Sequence, residues 1–194
     1  MLIRHRGHSP VVDPAAYVAP NATLVGQVRV GPRARIMYGA VLDAEDGAIE
    51  VGECAIVCEN AVLRGDVTLD DHVFVGPHAT LLGCRVARCA YLATGVTVLQ
   101  QAQLGAGAVV AIGAAVHART VLPDEAFVPP NMIAVREVVY APDDPALLDA
   151  IKSVEFAKIA FGVDVEWTDR IRRYEQAAEV RSAQFAAHAD DEVI

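Results

Sequence analysis

A short aliphatic residue returns every sixth position from Val12 to Val128, and no other feature constrains this chain as much. The runs read Val12, Val18, Leu24, Val30, Ile36, Leu42, then Val51, Val57, Leu63, Leu69, Val75, Leu81, then Val86, Leu92, Val98, Leu104, Val110, Val116, Leu122, Val128. Four residues after most of these stands alanine or valine, from Ala16 to Ala114, and this second series breaks at Asp46 and Arg85, where the runs change phase. Residues spaced by six drift around a surface of period 3.6, so the pattern is a poor helix. It suits a parallel β-solenoid, in which each hexad makes one short strand and a corner and three hexads make one triangular coil. About twenty hexads predict roughly six to seven coils stacked about 4.8 Å apart. Three residues after the inward position stand Asn21, Gly39, Asn60, Asp66, His72, His78, Gly95, Gly107, Gly113 and Asn131. Most of these types tolerate a left-handed backbone, as a tight corner requires. The period leaves the hand of the coil open, and the general crossover rule would favour a right-handed one.

The pattern ends near Arg136, which divides the chain into a solenoid over 10–136 and a linker with helices over 137–194. Asp144-Pro145 forms a helix-start pair, and Leu147, Leu148, Ile151, Val154, Phe156, Ile159 and Ala160 recur at helical spacing with Gly162 as a stop. A second helix begins near Thr168-Asp169 and runs through Ile171, Tyr174, Ala178 and Phe185, and its end, HADDEVI, is expected to fray. These helices are expected to cover one face or end of the solenoid, with docking of a partner as the alternative. The formal charge of −9 argues against a nucleic acid or an anionic membrane as partner, since both need a basic face. The opening MLIRHRGHSP lacks the apolar stretch of a secretory signal, and four cysteines read as reduced thiols, so a cytoplasmic location is expected.

Several stretches resemble the γ-class carbonic anhydrase-like branch of the hexapeptide-repeat superfamily. They are AYVAPNATLVGQVRVGPRARI, MYGAVL with Tyr38, IEVGE, ENAVL, VFVGPHATLLGC and LPDEAFVPPNMIAVR, spread over about two-thirds of the chain. The resemblance implies a mainly β, left-handed parallel β-helix with a C-terminal α-helical extension, a homotrimer, and a site between neighbouring subunits. Enzymes of that branch hold zinc on three histidines and leave a position open for a bound water. Counted from the glycine of IEVGE, the first ligand position falls on Arg64, and the others fall on Pro77 and Leu82. Guanidinium is a permanent cation without an acceptor, and proline and leucine side chains carry no donor atom, so none replaces imidazole. His78 is one residue away, and a slip of one in a strand turns the side chain to the other face. The expectation is therefore no metal at this position, no cofactor, and no zinc-dependent hydration of carbon dioxide.

Neighbouring positions differ from the branch as well: Asp43 and Glu45 stand where it carries arginine and aspartate, and Cys58 and Glu59 where it carries glutamine and aspartate. One reading puts Arg64 in the vacated metal position, paired with Asp43, Glu45 or Glu59. There it could grip the carboxylate or phosphate of a ligand by paired hydrogen bonds, or serve only as a structural ion pair. Arg64, Cys58, Glu59 and His78 are the candidates for catalysis, and Tyr38, Asp43 and Glu45 for substrate binding. Cys58 would be a nucleophile if Arg64 lowered its pKa, and a small inert filler otherwise. His78 could act as the base of an acyltransferase or merely shape a corner, and His117 reads as an exposed strand residue. Cys54, His72 and Cys89 fall at one corner of three successive coils, but the outer two lie roughly 9.6 Å apart, too far for one zinc ion to join comfortably. Three functions follow: a repurposed metal-independent enzyme acting on a small acyl or carboxylated substrate, a non-catalytic assembly or scaffold subunit, and an anhydrase with substitute ligands.

Overall fold

The computed structural model describes residues 1–194 and shows a left-handed parallel β-helix of about seven turns followed by a short helical part. Three sheets form the sides of the triangle. The first stacks Leu2–Arg4, Thr23–Val25, Val41–Asp43, Val62–Arg64, Thr80–Leu82, Thr97–Val98, Ala115–Val116 and Ile133–Val135 in parallel. The second runs from Val11–Val12 to Val121–Leu122, and the third from Tyr17–Val18 to Phe127–Val128, with seven strands each. In-register pairing puts each inward residue on the next: Leu24 on Leu42, Leu42 on Leu63, Leu63 on Leu81. Leu24, Leu42, Leu63 and Leu81 are fully buried, as are Ala22, Ala40, Ala61 and Ala79 from the second apolar series.

The phase changes are changes of coil length. Leu42 pairs with Leu63 rather than residue 60, so the coil between them is three residues longer, and Leu81 pairs with Val98, so the next change shortens a coil by one. The extra residues form the corner Ala44–Ala48, which carries Glu45 outward with φ 51°. Corners are tied by the coil that follows: Asp66, Asp71 and Asp124 each accept a hydrogen bond of 2.8 Å from the backbone N–H of Ala48, Glu53 and Ala106 respectively. Part of the acidic composition is thus spent on backbone donors that strands cannot satisfy. Gly105 is required by close stacking, since a Cβ there would stand 2.4 Å from the backbone of Pro123 and Asp124.

Eight of the ten anticipated corner residues have positive φ; Asn21 and Asp66 do not. Asn21 instead accepts from the Gly39 N–H, and Gly65 takes the left-handed position next to Asp66. Arg33, Gln101, Arg119 and Glu125 adopt φ near 60° although their types rarely do. Stacking between coils imposes the corner, and residue type only makes it cheaper. Cys54, His72 and Cys89 share this conformation, with φ between 55° and 60°.

The helical part is α1 (Leu147–Ser153), α2 (Phe156–Phe161) and α3 (Arg170–Phe185). Glu155 in the left-handed region separates the first two, and Gly162 ends α2 with φ 69°. Leu147 and Val154 bury with Val135 and Ala118 in a small second core. His117 is covered rather than exposed: Phe156 packs edge-on at 5.7 Å, and burial pushes the imidazole pKa down. On α3 the expected apolar row faces outward, with Ile171 77% and Tyr174 60% exposed, while Arg173 and Ala177 are buried. The end of the chain does not fray. Residues Ala186–Asp190 form a 3-10 turn, and Glu192–Val193 pairs antiparallel with Leu2–Arg4, so α3 runs back along the solenoid to the first coil. No helix is long and apolar enough to cross a membrane.

Candidate functional site

The register of the first sheet places Val25, Asp43, Arg64 and Leu82 in one column at the strand ends, each on the next coil. Adjacent rungs therefore bring the buried Asp43 carboxylate beside Arg64, and the three-residue insertion swings Glu45 into the same place. Arg64 Nε lies 3.7 Å from Asp43 Oδ2 and 3.6 Å from Glu45 Oε1. Both separations exceed a hydrogen bond, and this nitrogen is buried without an acceptor. Asp43 Oδ1 accepts from the Glu45 N–H at 3.0 Å. Glu59, the third anticipated partner of Arg64, is not in this group.

The helical part supplies residues that the sequence reading missed. Arg181 of α3 grips both oxygens of Glu45, at 2.6 and 3.2 Å, which leaves Arg64 as the less committed cation. The Phe185 ring packs under both guanidinium groups, 5.2 Å from Arg64 and 4.5 Å from Arg181. Beyond it, His188 directs Nε2 to within 3.7 Å of Asp43 and Nδ1 to within 2.9 Å of Asp191, whose other oxygen is 2.6 Å from Nδ1 of the buried His5. No local motif marks these residues, because they meet the solenoid only after α3 doubles back. Arg64, Leu82, Gln100, Ile159, Arg181 and Gln184 border a groove of about 410 Å³ between the coils and α2 and α3. Gln100 Oε1 is buried beside it without a donor.

Tyr38, Cys58, Glu59 and His78 stand at the corner that enters these strands, whereas Asp43 and Arg64 stand where the strands leave. One chain therefore presents two groups at opposite ends of the first face. His78 is exposed in the left-handed region, and its backbone N–H donates to the Glu59 carbonyl of the preceding coil at 2.9 Å. Tyr38 is exposed, and its hydroxyl is 3.2 Å from that of Tyr17. The condition for a nucleophilic Cys58 is not met: burial, then the charge of Glu59, pushes its pKa up, and Arg64 contributes no opposing effect.

Asp191 gives the site a pH dependence. Burial would raise its carboxyl pKa, but the hydrogen bonds from His188 and His5 outweigh this and hold it below the usual value of 3.8. A depressed folded-state pKa adds stability above the unfolded value and loses it as the pH falls through the folded one. Acidification below about pH 4 is thus expected to release Glu192–Val193 from the first coil before the solenoid opens. Amide exchange at Val193 and Ile194 rising ahead of exchange in the core would show it, and simultaneous loss would count against it.

No family model matches the chain. Gamma carbonic anhydrase 1, mitochondrial, of Arabidopsis thaliana is 32% identical over 138 residues, 63% of this chain and 50% of that protein. Gamma carbonic anhydrase 3, mitochondrial, of the same plant is 39% identical over 112 residues, 50% and 43% of the two chains. The chain thus spans about half the length of the curated relatives it matches. A crystal structure of a hexapeptide transferase family protein from Anaplasma phagocytophilum superposes with a TM-score of 0.64, covering 93% of this chain and 96% of that one at 24% identity, and so speaks for the fold alone. Stacked hexads and coil register are those of a hexapeptide-repeat β-helix, and the relatives that the sequence matches are γ-carbonic-anhydrase-like proteins.

Proposed function

We propose that this protein is a metal-independent enzyme, acyltransferase-like or of related chemistry, acting on a small acyl or carboxylated substrate. The observation that carries this reading is the groove beside Arg64, whose side chain is 35% exposed while its Nε is turned to Asp43 and Glu45. A carboxylate or acyl oxygen would meet the exposed part of the Arg64 guanidinium, whose planar fork suits paired hydrogen bonds. Arg64 anchors the anion, Asp43 and Glu45 hold Arg64, and residues 137–194 form the outer wall. Zinc does not fit the three positions the family would use. Arg64 is a cation turned toward carboxylates, and Pro77 and Leu82 offer no donor atom, so no hydration of carbon dioxide is expected there.

A homotrimer belongs to the same reading. The outward row of the third sheet runs Tyr17, Arg35, Ile56, Phe74, Tyr91, Val109 and Phe127, apolar but for Arg35, with Phe74 and Tyr91 stacked at 5.0 Å and Phe127 60% exposed. The second sheet instead shows polar pairs such as Arg29 and Glu50. A second copy of this chain would bury the apolar row and could bring Glu59 and His78 of one subunit toward Arg64 of the next. Three chains per particle by light scattering is the expected mass, with single chains after Tyr91→Glu and Phe127→Glu together. A wild-type monomer would remove this part of the proposal. Four unbridged cysteines, with Cys84 pushed to about 12 by burial, agree with a reducing compartment such as the cytoplasm.

The test is a thermal shift with small carboxylates and coenzyme A thioesters, which should raise the unfolding midpoint at concentrations well above Kd. No response across that set, or robust carbon dioxide hydration, would sink the enzyme reading. The exposed Ile171 and Tyr174 favour the second reading, a scaffold subunit, which predicts that ligand-free behaviour.

A further inference from the structure

We propose a divalent transition-metal site within one chain, formed by Nδ1 of His5, Nδ1 of His188 and the carboxylate of Asp191. It is separate from the Arg64 position and does not depend on the groove being a substrate site. The ligating atoms of the three residues all lie within 4.8 Å of one another. The two imidazoles stack at 4.4 Å with 24° between their planes, so both present Nδ1 to Asp191, at 2.6 and 2.9 Å from its two oxygens. Ligands of a tetrahedral ion bound at about 2.0–2.1 Å stand roughly 3.3 Å apart, so both nitrogen–oxygen contacts would widen and the stacked rings would turn to aim their Nδ1 lone pairs at one ion. The His5 ring is 1% exposed, and its main chain is fixed by reciprocal hydrogen bonds with His8 of 3.0 and 2.9 Å.

Hydrogen bonds alone leave a conflict that an ion resolves. If neutral His188 donates through Nδ1 to Asp191, the bare lone pair of Nε2 faces Asp43 Oδ2 at 3.7 Å. Metal on Nδ1 puts the proton on Nε2, where Asp43 becomes the carboxylate behind a ligating histidine. Three carboxylates, Asp43, Glu45 and Asp191, converge here, with Arg64 and Arg181 beside the first two and the two imidazoles beside the third. A cavity of about 10 Å³, bordered by His5, Arg6, Glu45, Asp46 and His188, adjoins the two imidazoles. Two imidazoles with one carboxylate select zinc, cobalt or nickel over magnesium or calcium. The ion would staple the returning end of the chain to the first coil.

The test uses the full chain, stripped with chelator and titrated with Zn²⁺ by calorimetry and with Co²⁺ by visible absorption. One equivalent per chain is expected, with the intense bands of low-coordinate cobalt and a raised unfolding midpoint. His188→Gln and Asp191→Asn should each weaken Zn²⁺ at least tenfold, and Asp43→Asn about 10- to 100-fold as a positioning residue. His78→Ala and Cys58→Ser should bind as wild type, which separates this site from any ion held between subunits. His5→Ala could unfold the first coil, so the decision rests on the His188 and Asp191 variants, checked for native circular dichroism. Absence of stoichiometric binding, or binding unaffected by both variants, overturns the proposal.

Discussion

Arg64→Ala is expected to abolish the thermal shift produced by carboxylates and to lower the unfolding midpoint by about 2–8 °C, which for a chain of this size corresponds to roughly 1–2 kcal/mol. The binding loss follows from removal of the partly exposed guanidinium that would anchor the anion. The stability loss is smaller than for a fully buried pair, because the Arg64 side chain is 35% exposed and solvent screens it. Glu45 keeps the two contacts from Arg181, so the deficit falls mainly on buried Asp43. Arg64→Lys should restore most of the stability and little of the binding, since an ammonium keeps the charge but not the planar fork. Intact ligand response in Arg64→Ala, measured by the same thermal shift, would remove the arginine from the proposed site.

Leu63→Ala should be costlier for the fold and silent about the ligand. Leu63 is fully buried between Leu42 and Leu81, and coils held by in-register backbone ladders cannot slide to fill the gap. Such a truncation costs about 3–4 kcal/mol, or a drop near 10 °C in the unfolding midpoint. Differential scanning calorimetry reads it directly, and a change under 2 °C would mean that the coil collapses around the void. Comparison of the two variants separates the interior of the solenoid from its decorated edge.

The solenoid was legible because its signal is local and repeated: each of Leu24, Leu42, Leu63 and Leu81 reports the same inward position, and one misread residue changes nothing. The hand was not in the period, and it came from the family resemblance. Asp43, Glu45 and Arg64 could be anticipated as neighbours because one coil of register relates them. Arg181, Phe185, His188 and Asp191 could not, since their contacts depend on the path of α3, which no spacing encodes. The outward row Ile171–Tyr174 misled for a related reason: helical periodicity identifies an apolar stripe but not what it faces. His117 was hidden by Phe156 in the same way, through packing between distant parts of the chain.

The pairing of Glu192–Val193 with Leu2–Arg4, where the Ile194 N–H donates to the Leu2 carbonyl at 2.9 Å, lays an antiparallel strand along the outer edge of the first coil. A parallel solenoid exposes a row of unpaired backbone groups on its outermost rung, and here the same chain covers that row, so another molecule approaching this end meets a strand of two residues instead of an open rung.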